Sequence, residues 1–136
     1  MNYKKSILAI ALLFITSNLL TITWYQLTDE ANYVSFRRTE INYGGLMLNH
    51  LIFVMGFVYL FPNYIKSKNS KLNSFCYGSI LAAIMFIPTG LVVRSLWKVD
   101  FNQIFLMNTV AHLTIGGVLG IVLSLIYNYK RRNETN

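Results

Sequence analysis

The sequence predicts an all-α integral membrane protein of four transmembrane helices, on three observations. Of its 136 residues, 54% are hydrophobic and only 12% are charged, against roughly a quarter charged in an average soluble domain. The apolar residues gather into four long runs, and a bilayer core about 30 Å thick asks for roughly 20 mostly apolar residues per crossing. The basic residues sit in short clusters between those runs and form no continuous basic face. That is the pattern of membrane topology, so no nucleic-acid partner is expected despite a net charge of +7. The length suits a single domain over residues 1–136.

The first helix is expected over residues 6–25. Lys4 and Lys5 precede it, as in a secretory signal, but it ends in Thr23-Trp24-Tyr25, an interfacial aromatic ending without the small residues of a cleavage site. A retained span is therefore expected. The loop 26–42 that follows is long for a helix connection, where about 2 to 8 residues is usual. It carries Asp29, Glu30, Tyr33, Phe36, Arg37, Arg38 and Glu40, a mixed surface suited to folding over the bundle or meeting a partner.

The second helix is expected over 43–64, with Pro62 where a helix can stop. A short loop, 65–74, holds Lys66, Lys68 and Lys71. The third helix, 75–97, contains Pro88, with Thr89 beside it to help satisfy the freed carbonyl. The fourth, 101–129, runs up to Lys130, Arg131 and Arg132. A lone cysteine, Cys76, excludes an intrachain disulfide.

Short cytoplasmic loops are enriched in lysine and arginine. The N-terminal, middle-loop and C-terminal basic clusters fall on one side, while Asp29, Glu30, Glu40 and Asp100 fall on the other. Both termini are therefore expected in the cytoplasm and the loop 26–42 outside.

Aligning Ser6-Ile7-Leu8-Ala9 with Ser79-Ile80-Leu81-Ala82 also brings Thr16 onto Thr89 and Trp24 onto Trp97. The next helices each carry a histidine before leucine, His50-Leu51 and His112-Leu113. These matches point to a duplicated two-helix hairpin, both copies crossing in the same sense.

Polar side chains in hydrocarbon need partners, so their distribution locates the interior. In all four runs they concentrate toward the outer end, which predicts a polar outer-half site at the junction of helices two and four. Its candidate residues are Asn49, His50, Asn108, Thr109 and His112, with Arg94 at the mouth or snorkelling to the interface. Helix four presents Asn108, His112, Gly116, Gly120 and Ser124 at successive spacings of four, and helix two presents Asn42, Gly45, Asn49 and Gly56. The small members, Gly45, Gly56, Gly116, Gly120 and Ser124, are expected to pack helices closely. His50 lies to one side of the helix-two row, which weighs against two facing histidines.

No G-x-S-x-G, H-E-x-x-H, phosphate-binding glycine loop or intramembrane carboxylate pair is present, so the expectation is a protein that is not an enzyme. Three functions stay open. The polar site binds or passes a small polar ligand, its histidines exchanging protons near neutral pH. Alternatively, the chain is an accessory or assembly subunit, acting through helix surfaces and the outer loop on a second copy of itself or another membrane protein. In the third, His50 and His112 ligate a haem b for electron transfer; no other cofactor or metal is expected. In its layout, the repeated Ser-Ile-Leu-Ala and the paired tryptophans Trp24 and Trp97, the whole chain resembles small bacterial four-helix inner-membrane proteins of unassigned function. The resemblance implies a bacterial cytoplasmic membrane and carries over no catalytic residue.

Overall fold

A computed structural model describes residues 3–32, 43–65, 71–96 and 102–128. They form four α-helices: α1 (Tyr3–Asn32), α2 (Tyr43–Ile65), α3 (Lys71–Leu96) and α4 (Asn102–Asn128). The shortest has 23 residues and the longest 30, or about 35 to 45 Å at roughly 1.5 Å per residue. All four are long and apolar enough to cross a membrane. Ile7, Ile15, Leu19, Ile52, Ile84 and Leu106 lie exposed on the outside of the bundle, as expected where the surrounding solvent is lipid.

Three boundaries differ by more than one residue from the sequence expectation. Helix α1 begins at Tyr3 instead of residue 6 and takes in Lys4 and Lys5. Seven residues assigned to the outer loop continue α1, so Asp29 and Glu30 lie on its last turns. The remainder of that loop, with Tyr33, Phe36, Arg37, Arg38 and Glu40, lies outside the described residues. At the other end, α3 begins at Lys71 instead of residue 75. The added turn brings the Ser74 carbonyl against Gly120.

Each helix packs on its neighbours in the chain, and α4 closes the ring against α1. Helices α2 and α4 are therefore diagonal, as are α1 and α3. The centre is filled by Leu13 of α1, Phe53, Val54, Phe57 and Phe61 of α2, Tyr77 of α3, and Leu119 and Leu123 of α4. Tyr77 sits edge-on to both Phe57 and Phe61, with ring centroids 5.2 and 5.3 Å apart, a favoured aromatic geometry.

The tightest contact is between α3 and α4. A Cβ added to Gly78 would collide with the Gly116 carbonyl, and one added to Gly120 would collide with the Ser74 carbonyl. The two backbones are thus in direct contact. This proximity lets the Ser79 hydroxyl of α3 donate to the Leu113 carbonyl of α4 at 2.9 Å. The packing seam expected on α2 lies elsewhere. Gly45 and Gly56 are exposed, and no other helix among the described residues comes within 4 Å of a Cβ added at Gly56. The bulky face of α2, from His50 through Phe53, Phe57 and Phe61, turns inward because large side chains are needed to fill the centre. The α1–α2 and α3–α4 pairs also differ in closeness, so the two hairpins do not pack as equivalent copies.

Gly120→Ala should lose about 1 to 3 kcal/mol, the usual range for overpacking. Gly56→Ala should be neutral or gain up to about 1 kcal/mol from helix propensity. Denaturation in mixed micelles compares them; equal stabilities would contradict the backbone contact.

Candidate functional site

The polar site begins with Ser17 and Thr21, one turn apart on α1 and both buried. From α2, His50 reaches across to Ser17, with Nδ1 and Oγ 3.1 Å apart. Ser17 donates its own proton to the Phe14 carbonyl at 3.1 Å, which leaves Oγ to accept from the imidazole. On α4, His112 Nδ1 donates to the Asn108 carbonyl one turn earlier at 2.7 Å, and its ring lies tilted by 38° against Phe86 of α3 with centroids 3.8 Å apart. Both histidines are buried.

His50 and His112 line one cavity together with Ser17, Thr21, Asn49 and Phe86. All four helices contribute, so the site occupies the middle of the bundle, with α2 and α4 meeting across it as diagonal helices. The two histidines, which the seam on α2 appeared to keep apart, share its wall. The free space is about 10 Å³, close to the minimum for one water molecule.

The other candidates divide. Asn49 lines the cavity but is largely exposed. Asn108 contributes through its backbone, while its side-chain oxygen accepts from the Trp24 indole at 2.9 Å. Trp24, read from sequence as an ordinary interfacial anchor, thus ties α1 to α4. Thr109 returns its hydroxyl to the Phe105 carbonyl of its own helix at 2.8 Å. Arg94 belongs to α3, but its side chain lies outside the described residues. Ser17, Thr21 and Phe86 were not singled out by sequence. The only available signal was the i, i+4 spacing of Ser17 and Thr21 on a helix with several other polar residues.

Thr16, Thr89 and Thr114 also bond the carbonyl four residues back, a common way to satisfy hydroxyls in an apolar medium. Thr89 therefore serves the Met85 carbonyl and not that of Ile84, which Pro88 frees. A second polar group lies toward the opposite end, where Ser6 and Tyr127 stand 3.4 Å apart and Tyr77 donates to the Phe57 carbonyl at 2.8 Å. No sealed polar side-chain atom lacks a partner among the described residues.

A bis-histidine haem needs the two rings on opposite faces of a macrocycle. Space for one water between them does not accommodate it, so the histidines as packed do not fit that group. Nor do three or more His, Cys, Asp or Glu side chains converge among the described residues to make a common metal site.

Asn108→Leu should release the Trp24 indole, shift its fluorescence and cost about 1 kcal/mol, the scale of one hydrogen bond between membrane helices. Emission spectra with Trp97→Phe as background read this directly; unchanged Trp24 emission would contradict the contact. No protein-family model, curated protein or solved structure matches this chain, so the candidate site rests on its own geometry.

Proposed function

We propose that this chain is a multi-pass membrane protein that acts without catalysis, binding a small polar ligand at the histidine cavity. The supporting observation is the convergence of Ser17, Thr21, His50 and His112 on one buried cavity in an otherwise apolar bundle. Ionisable residues within a membrane are costly and mark functional sites by default. Both termini face the cytoplasm of a bacterium in this reading, on the strength of the basic clusters. His50 and His112 then lie roughly 10 and 15 Å from the outer ends of α2 and α4, counted at about 1.5 Å per residue.

Binding is favoured over passage because Phe57, Phe61, Leu119 and Leu123 fill the bundle beyond the cavity. A second reading, an accessory subunit acting through helix surfaces, draws support from a different feature. An open, largely apolar groove of about 540 Å³ runs between α1 and α4, lined by Leu20, Trp24, Leu27, Leu106, Met107 and Val110 among others. A partner helix or a second copy of the chain suits such a surface.

Trp24 connects through Asn108 to His112 and so reports on the site. Protein in nanodiscs, with Trp97→Phe as background, is titrated with ammonium sulfate against sodium sulfate, ammonium being of the size that about 10 Å³ of free space admits. Ammonium should shift Trp24 emission, and the paired substitution His50→Gln and His112→Gln should abolish the shift while helicity is kept. Absence of any shift, or shifts that survive the substitutions, would overturn the ligand reading and leave the accessory one.

A further inference from the structure

We propose that the cavity is a two-acceptor site for one hydrogen-bond donor, a water molecule held between His50 Nε2 and His112 Nε2, and that it rejects anions. This inference rests on the histidine cavity being the ligand site and specifies what chemistry it accepts.

Hydrogen bonds on the far side of each ring set the tautomers. A carbonyl oxygen only accepts, so His112 must carry its proton on Nδ1 to bond Asn108. The Ser17 hydroxyl has one proton; given to the Phe14 carbonyl, it leaves His50 to donate from Nδ1. In the neutral state each Nε2 is then a bare lone pair.

Neither Nε2 has a protein partner among the described residues. Because no sealed polar side-chain atom there is without one, both nitrogens must reach space that a water molecule can enter. The cavity walled by both rings is such a space, and its volume of about 10 Å³ matches a single water. Thr21, also buried and without a partner among the described residues, adds a hydroxyl that can either donate or accept. A water would therefore have three polar neighbours, the usual number for a buried one.

The chemistry is selective. Two lone pairs repel an anion and attract a molecule that gives two protons. From α1 the cavity is faced by hydroxyls, from α2 beyond His50 by the neutral amide of Asn49 and by Phe53, from α3 by Phe86, and from α4 beyond His112 by Ile115, Gly116 and Leu119. Among the described residues no carboxylate, lysine or arginine lines it, so no charge in that wall reverses the preference.

The test uses protein with ¹⁵N-labelled histidine in lipid nanodiscs. Both rings should show a pyrrole-type Nδ1 and a pyridine-type Nε2, with magnetisation passing from water to both Nε2 atoms and no response to sodium formate. Ser17→Ala should move the His50 signals and leave those of His112 in place. A proton on either Nε2, no transfer from water, or His50 signals unmoved by Ser17→Ala would each overturn the proposal. Formate that shifts both Nε2 signals would overturn the donor preference while keeping a ligand site. The expected tautomers and water transfer, in a protein where ammonium does not move Trp24 emission, would keep the water site and overturn the ligand reading.

Discussion

Between helices in hydrocarbon there is no hydrophobic driving force, because lipid tails are as apolar as leucine. Association rests on close packing and interhelical hydrogen bonds. In this bundle close packing is concentrated where α3 and α4 touch backbone to backbone at Gly78, Gly116 and Gly120. That contact fixes how the rest is arranged. It brings Ser79 within reach of the Leu113 carbonyl, and beside Leu113 it holds His112 against Phe86. Helix α2, whose aromatic face has no partner of comparable closeness, fills the remaining centre with Phe53, Phe57 and Phe61.

Around the ring, each neighbouring pair of helices shares a hydrogen bond. His50 joins Ser17 between α1 and α2, Tyr77 joins the Phe57 carbonyl between α2 and α3, Ser79 joins α4, and Trp24 joins Asn108 between α4 and α1. Links of this kind average under about 1 kcal/mol each in membranes, so none dominates stability. Their larger effect is orientation: an unsatisfied polar group in lipid costs several kcal/mol, which penalises any rotation that would break a pair. The histidine cavity is the place where this satisfaction stops at the protein's own atoms. Both rings are anchored through Nδ1, and the remaining nitrogens are left to whatever enters.

The helices were legible because a run of some 20 apolar residues has few alternatives in a chain with so little charge. The glycine row of α4 was legible too, as a row, since Gly116 and Gly120 recur at helical spacing. What that row packs against was not, because Ser74 and Gly78 carry no signal until the register of α3 against α4 is known. On α2 the expectation inverted: small residues at Gly45 and Gly56 suggested an interior seam, but the aromatic residues were needed inside. Of the candidate site, His50, His112 and Asn49 reach the cavity, whereas Thr109 satisfies itself locally and Asn108 turns to Trp24. Such choices depend on which acceptor is nearest in space, and one sequence does not encode that distance visibly.

Two histidines from diagonal helices face a common cavity of single-water size. Solid-state NMR of the protein in lipid bilayers, with only the histidine rings labelled, tests this arrangement without reference to any ligand. A through-space correlation between the rings of His50 and His112 is the expected result. Two isolated ring systems, in a sample that retains its helical signals, would contradict it.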